Sequence, residues 1–342
     1  MRLEHTVRRL RLRAPLRISR GSMSERDAVW VRLSDEFGSG QGEVVTSARF
    51  GLDVAAVQRA LARVASWLGA DGPEQLRTRL PELRAAMSDA LPVVAAVDCA
   101  LHDLLARAAG LPLGDFLGVP QRDSTPTAYT LGIMPPDDAV AMAVDAAAAG
   151  FTVLKIKAGL PDSTEDIDRV RAVRAATPGV ELLLDPNGAW DADTATAVLR
   201  ALDGVVAAVE QPVAAARPEE LARVVAAVGV PVIADESAAT EADLRRLPAA
   251  IAGVNVKLAE CGGLDAALSM IAAAAEAGMA TMLGCQVGSS LGIAPSVHLT
   301  GLARWVDLDG HLLLAEDPWH GLGGHDGLLR RPTGPGLGVV AR

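Results

Sequence analysis

The sequence predicts an α/β protein: a (β/α)8-type barrel, a modified TIM barrel, joined to an N-terminal α+β capping domain. Three observations predict it. Short apolar strands recur between Ala-rich amphipathic segments, and most end in charge: Lys155-Ile156-Lys157, Asp185-Pro186-Asn187, Glu210, Asp235-Glu236, Lys257 and Asp307-Leu308-Asp309. Asp185, Glu210 and Asp235 stand 25 residues apart, about the length of a strand, a helix and two loops, and Lys257 follows 22 residues later. Residues 1–120 lack this period, and 342 residues exceed what a barrel of about 200–250 needs. In a closed barrel the C-terminal strand ends converge on one mouth, where that fold keeps its chemistry.

The elements follow in order. Val7, Leu10 and Leu12, then Ala28–Leu33, then the turn Gly38-Ser39-Gly40-Gln41-Gly42, predict a three-stranded antiparallel meander over residues 1–45. Ser19–Arg26 reads as a polar turn, with Arg20-Gly21-Ser22 in the loop between the first two strands. From Asp53 to Leu117 the pattern is helical. Asp53 caps a helix over 54–68, Pro73 opens a second, and a third runs from Leu91 to Ala109 with Val94, Val97, Leu101, Leu104 and Leu105 on one face. Residues 1–120 make the capping domain and 121–310 the barrel. The barrel strands are expected at Thr127–Gly132, Val153–Ala158, Val180–Pro186, Val205–Glu210, Pro231–Asp235, Gly253–Leu258, Ala280–Leu283 and Ala303–Leu308. Ala-rich crossover helices connect them, as a parallel sheet covered on its outer face requires. Residues 311–342, rich in Gly and Pro, are expected to pack back on the first domain.

Composition narrows the function. Half the residues are hydrophobic, enough for a large core, and a net charge of −10 argues against nucleic acid or an anionic membrane surface as partner. Aromatic residues make up 3% of the chain, too few for base stacking. Cys99, Cys261 and Cys285 show neither metal-type spacing nor an even count. Residues 1–20 alternate Arg with single apolar residues and hold no apolar core of a signal peptide or membrane span. The expectation is a soluble cytoplasmic protein acting on a small molecule; a homo-oligomer is left open.

Asp185, Glu210 and Asp235 offer only hard oxygen ligands, which suit Mg²⁺, with Mn²⁺ as the alternative, rather than zinc. In Asp235-Glu236 strand alternation turns one acid inward, and Ile233, two residues earlier, selects Asp235. Lys155 and Lys157 share a face of the second strand, and Lys257 lies roughly across the barrel. A neighbouring lysine and a divalent ion are expected to push such an amine down from about 10.4 toward neutrality, where a general base works. Two lysines facing each other across a metal suit proton transfer at a carbon next to a carboxylate. One removes the proton from one face and the other returns it to the opposite face, so the outcome is inversion.

These motifs carry a resemblance. Lys155-Ile156-Lys157, Asp185-Pro186-Asn187-Gly188-Ala189-Trp190, Val209-Glu210-Gln211-Pro212, Ala234-Asp235-Glu236-Ser237 and Asn255-Val256-Lys257-Leu258 resemble the enolase superfamily, muconate-lactonizing-enzyme subgroup, over the whole chain. One departure is Pro186, where many relatives have Ala. The resemblance implies Asp185, Glu210 and Asp235 as Mg²⁺ ligands backed by Asn187. It also implies Lys157 and Lys257 as the acid–base pair assisted by Lys155. Asp307-Leu308-Asp309 resembles the Asp-x-Asp motif of the dipeptide epimerase branch, which holds the α-ammonium group of a dipeptide. Arg20-Gly21-Ser22 and Arg49-Phe50-Gly51 resemble the capping loops of L-Ala-D/L-Glu epimerases, which implies that Arg20 pairs with a glutamate side chain. Cys285 is a candidate pocket-lining residue. The resemblance implies a Mg²⁺-dependent dipeptide epimerase of murein peptide metabolism, working through an enediolate. The alternatives are an epimerase of hydrophobic or cationic dipeptides, an o-succinylbenzoate synthase or N-succinylamino acid racemase, and a non-catalytic metal-binding barrel.

Overall fold

The computed structural model describes residues 1–36 and 38–342. β1 (Arg2–Ile18) and β2 (Gly21–Ser34) form a long antiparallel hairpin, and β3 (Ser39–Val45) pairs with β2. The meander is as expected, but the polar stretch 22–26 is strand rather than loop, with Ser22 opposite Arg17 and Arg26 opposite Leu10. Arg9 binds Glu25 at 2.8 Å and Asp27 at 2.7 Å across the hairpin. Cross-strand charge pairs hold a segment whose few apolar side chains give no alternation to read. The register slips between Arg11 and Leu16, where Pro15 has no N–H for the ladder.

α1 (Val54–Leu68), capped by the Asp53 carboxylate on Ala56 N, precedes α2 (Pro73–Ala86), α3 (Leu91–Ala108) and the short α4 (Leu113–Leu117). α3 is not the one-sided helix its pattern suggested. Every residue from Pro92 to Ala106 is buried, because the helix lies between the meander and the barrel. On the meander side the backbones nearly touch: a Cβ on Gly40 or Gly42 would stand 2.0 Å from the carbonyl oxygen of Ala100 or Ala96. On the barrel side Asp98 Oδ1 accepts a hydrogen bond from Leu264 N at 2.8 Å.

After β4 (Ser124–Pro126) the chain alternates strand and helix: β5 (Tyr129–Leu131), α5 (Pro136–Ala149), β6 (Val153–Lys157), α6 (Ser163–Ala176), β7 (Glu181–Asp185), α7 (Ala192–Ala201), β8 (Ala208–Glu210) and α8 (Pro218–Ala227). It continues with β9 (Val232–Ala234), α9 (Glu241–Leu244), β10 (Gly253–Val256), α10 (Leu258–Cys261), α11 (Leu264–Glu276), β11 (Ala280–Gly284), α12 (Ser290–Val297) and β12 (Trp305–Asp307). β5 to β12 make one eight-stranded sheet in sequence order, and Ala128 N donates to Val306 O at 2.9 Å to bring its ends together. β8 and β12 start later than expected because the N–H groups of Val205 and Ala303 close the preceding helical turns, on Leu202 O and Thr300 O. Leu183, Ala208, Ile233 and Trp305 pack together inside the barrel. Each lies two residues before Asp185, Glu210, Asp235 or Asp307, so strand alternation sets the acids on a packed apolar floor.

The C-terminal stretch touches both parts of the molecule. β13 (Trp319–His320) pairs with β15 (Val340–Ala341), and β14 (Leu328–Arg330) with β4. Leu314 bridges to Leu12 of β1, and Leu337 N donates to Asp103 Oδ1 on α3 at 2.7 Å.

Two buried histidines pin these seams in opposite protonation states. His102 on α3 presents Nδ1 to Asp98 O at 2.9 Å and Nε2 to Asp265 Oδ1 at 3.3 Å, so both nitrogens face acceptors and the ring is held as the cation. Burial opposes that charge, but Asp98 and Asp265 outweigh it and push the pKa up to about 10. His298 accepts from Gly114 N and donates to Leu337 O, each at 3.3 Å, the pattern of a neutral ring; burial pushes it down to about 4. Stability from His102 is complete below about 6.5 and is lost as pH rises through about 10. Stability from His298 is complete above about 6.5 and falls away toward pH 4, by roughly 3 kcal/mol. Urea melts from pH 4 to 10 are expected to show flatter acid loss in His298→Gln and flatter alkaline loss in His102→Gln; equal slopes in variant and parent would refute the assignment.

Candidate active site

Lys155 and Lys157 on β6, Asp185 at the end of β7, Glu210 at the end of β8, Asp235 just past β9 and Lys257 just past β10 are brought together at one end of the barrel. Lys155 Nζ is the hub, 2.7 Å from Glu210 Oε2, 2.7 Å from Asp307 Oδ2 and 3.1 Å from Asp185 Oδ2. Lys157 donates to Asp185 Oδ2 at 2.5 Å, and Lys257 to Asp235 Oδ2 at 2.6 Å. β6 and β10 are four strands apart in an eight-stranded sheet, so Lys157 and Lys257 enter from opposite sides with the three acids on the strands between them. Glu236 is paired with Arg20 at 2.7 Å rather than with either lysine.

With only the protein's own charges present, burial disfavours the cations, but Asp307, Glu210 and Asp185 raise Lys155 well above its ordinary value, and Asp235, Glu260 and Glu210 raise Lys257. The acids diverge. Burial works against ionised Asp185, but Lys157 and Lys155 outweigh it and hold the group well below the usual carboxylate range. Glu210 is pushed up to about 7 by burial and then by Asp185. Asp235 is also pushed up to about 7 by burial, with Glu236 and Glu260 adding to it and Lys257 opposing.

Two amides that sequence reading passed over orient the acids. Gln211 is fully buried; its Oε1 accepts from Asp235 N at 2.9 Å and Ser237 N at 3.0 Å, and its Nε2 donates to Ser237 Oγ at 2.7 Å and Val213 O at 2.8 Å. These four bonds offset the cost of a left-handed backbone, φ 38°, at a non-glycine residue. Asn255 Nδ2 donates to Glu210 Oε1 at 2.8 Å. Its place two residues before Lys257, on the same strand face, was the legible signal. Asn187, left-handed at φ 51°, donates to Asp185 from its backbone at 2.9 Å and from Nδ2 at 3.2 Å.

Asp307 and Asp309 are both buried beside this cluster. Asp309 Oδ2 accepts from Thr130 N at 2.7 Å, and burial, then Asp307, push its pKa up to about 7. Asp307 Oδ1 is buried with no hydrogen-bond partner. A cavity of about 590 Å³ lies over the lysines, within the range of small-molecule sites. Lys157 and Lys257 line it from below; Ile18, Arg20, Met23 and Arg26 of the hairpin line it from the capping domain. Cys285 also lines it, its thiol raised by burial and then by Asp309 and Asp307, so it is a neutral wall rather than a nucleophile. Arg20 donates to Glu236 Oε1 at 2.7 Å and Asn187 O at 3.3 Å, and Arg49 to Glu260 Oε1 at 2.8 Å. Arg20, expected to pair with a substrate glutamate, lines the cavity and is paired there with a carboxylate of its own chain.

Among the described residues no three acids, imidazoles or thiols are gathered as a ready metal cage, since the lysines lie between the carboxylates. The donor set nevertheless fits a hard divalent cation. Asp185, Glu210 and Asp235 supply only oxygen, and Asp235 Oδ1 is buried without a hydrogen-bond partner.

Comparison with known proteins agrees with this geometry. Residues 2–118 match the model of the mandelate racemase/muconate lactonizing enzyme N-terminal domain, and residues 138–342 the enolase C-terminal domain-like model. The chain is 32% identical over 344 residues to a hydrophobic dipeptide epimerase of Roseobacter litoralis, covering 99% of each. It is 34% identical over 310 residues to the L-Ala-D/L-Glu epimerase of Escherichia coli, covering 90% of this chain and 92% of the relative. The solved structure of a Methylococcus capsulatus dipeptide epimerase, complexed with Mg and the dipeptide L-Arg-D-Lys, superposes with a TM-score of 0.90 at 32% identity, covering 99% of each chain. This chain is therefore an enzyme of the enolase superfamily and belongs to its mandelate racemase/muconate lactonizing enzyme family.

Proposed function

We propose that this enzyme is a Mg²⁺-dependent dipeptide epimerase that inverts the α-carbon of the C-terminal residue. One observation carries the reading: Lys157 and Lys257 line a single cavity from opposite sides of the barrel, with three carboxylates on the intervening strands. The named activities of the relatives support the same class of substrate. Asp185, Glu210 and Asp235 would hold the Mg²⁺ ion (Mn²⁺ suits the same oxygens), which supplies positive charge to the substrate carboxylate and offsets the acids' pull on the lysines.

The chain's own groups divide the remaining work. Lys157 and Lys257 face the α-carbon from opposite sides; one takes the proton and the other returns one, so the configuration inverts. Lys155, buried among carboxylates and firmly protonated, contributes fixed positive charge beside the substrate carboxylate. Asp307 and Asp309 give the α-ammonium group of a dipeptide a buried anionic seat, with Asp307 Oδ1 free to accept from it. The L-Ala-D/L-Glu assignment, and with it a place in murein peptide metabolism, rested on Arg20; because Glu236 matches that charge, the proposal is the broader dipeptide activity.

Proton NMR in D₂O with Mg²⁺ tests it, using L-Ala-L-Glu beside dipeptides with apolar and basic second residues. Loss of the C-terminal α-proton signal with growth of the L,D diastereomer is expected. A panel of free dipeptides that shows no exchange would overturn the reading.

A further inference from the structure

Three arginines line the cavity, and they are not equivalent. Arg20 and Arg49 are each neutralised by a glutamate of the barrel, Glu236 at 2.7 Å and Glu260 at 2.8 Å. Arg26 is not. Among the described residues its hydrogen bond is to the backbone carbonyl of Val287 at 3.3 Å, with no carboxylate in ion-pair contact. The ionisable groups whose charge acts on it are Cys285 and Glu43. The Cys285 thiol is neutral. Glu43 is half-buried and already accepts from Trp30 Nε1, Ser289 N and Ser289 Oγ. Arg26 is half-buried, and a guanidinium partly withdrawn from water without a counter-ion is disfavoured; burial lowers its pKa. Such a group is stabilised when an anion enters the cavity beside it.

The position of Arg26 says which end of the substrate it meets. It anchors on Val287, two residues past Cys285. Cys285 packs beside the eighth strand end: a Cβ added to Gly310 would stand 3.2 Å from its Sγ, and Asp309 and Asp307 act directly on the thiol. Arg26 therefore lies on the Asp307/Asp309 side of the cavity, the side given to the ammonium end of the dipeptide.

We propose that Arg26 is a specificity-determining residue that receives a side-chain carboxylate on the N-terminal residue, so that the preferred substrates are dipeptides beginning with glutamate or aspartate. The inference rests on the dipeptide epimerase reading for its substrate frame. The same carboxylate chemistry would also be offered by an N-succinyl group, which lacks the ammonium that Asp307 and Asp309 suit.

The test compares L-Glu-L-Ala with its isosteric amide L-Gln-L-Ala, with L-Ala-L-Glu, and with N-succinyl-L-alanine. Two readouts are taken: kcat/KM for exchange in D₂O, and dissociation constants by calorimetry on Mg²⁺-loaded enzyme. A charge-assisted hydrogen bond predicts that L-Glu-L-Ala is favoured over L-Gln-L-Ala by roughly 10- to 100-fold. In Arg26→Met that ratio is expected to collapse toward one, and in Arg26→Lys to recover in part. A merely structural role would lower all substrates together and leave the ratio intact, which would overturn the proposal. Preference for the acid on the second residue, or for N-succinyl-L-alanine, would overturn it too. Exchange without any acid-over-amide preference removes Arg26 while leaving the epimerase standing. A charge-dependent binding difference without exchange of any dipeptide supports the Arg26 subsite and removes the epimerase. Should Arg26→Met fail to fold, Arg26→Lys and Arg26→Gln carry the comparison.

Discussion

Lys257→Ala is expected to lose epimerisation by about 10³-fold, within the usual range for a general acid–base group, while still exchanging the α-proton of one diastereomer. Lys157→Ala should show a similar loss and retain exchange on the other. The expectation follows from placement: the two ammonium groups enter from β6 and from just beyond β10, opposite one another in the barrel. Each can therefore reach one face of a carbon held between them. Deuterium wash-in, measured separately on the L,L and L,D isomers, checks it. If both variants retain the same isomer, the two lysines serve one face and the inversion mechanism fails. Neither substitution is structurally silent. Lys257 donates to Asp235 and lies 4.0 Å from Glu260, and a buried carboxylate deprived of its cation costs about 3 kcal/mol or more. Circular dichroism and a melt must therefore accompany the kinetics.

Glu210→Gln is expected to separate stability from activity. Glu210 is the middle acid of the three, buried, and pushed up to about 7 by burial and by Asp185. The fold thus disfavours its charge, and a neutral amide of the same shape relieves that penalty. In chelator-treated protein near pH 8 the variant should melt above the parent. Its Mg²⁺ affinity by calorimetry should fall, and activity should drop by about 10³-fold when a charged oxygen is removed from the ligand set. A variant that melts lower and binds Mg²⁺ as before would show that Glu210 is a structural ion-pair partner of Lys155 rather than a ligand.

Much of this site was legible because one periodicity carries it. A charged residue at the end of most of the apolar strands, repeated at βα intervals, specifies both the barrel and the end at which the charges meet; alternation selected Asp235 over Glu236. Pairings between distant segments were not legible. Nothing local in Arg20-Gly21-Ser22 announces that Arg20 will find Glu236, 216 residues away, before it finds a substrate. Nor does local pattern show that Gln211 ties two strand ends together. The charge state of the lysines turns on a related feature. Spacing shows which groups share a mouth, while the balance among neighbours depends on which carboxylate stands at 2.7 Å and which at 4 Å. Ser22–Arg26 read as a turn because hairpins held by crossed charges lack the apolar alternation that marks a strand.

The cavity has two parents. Its proton-handling floor is cast in barrel strands, while Ile18, Arg20, Met23 and Arg26 hang over it from a hairpin of another domain. Gly40 and Gly42 of that domain's sheet press so closely on α3 that no side chain fits between them. The two lysines and the part of the wall above them thus lie on separate stretches of chain. If Arg26 selects substrates as proposed, libraries confined to residues 18–26 are expected to change substrate preference while leaving both lysines in place.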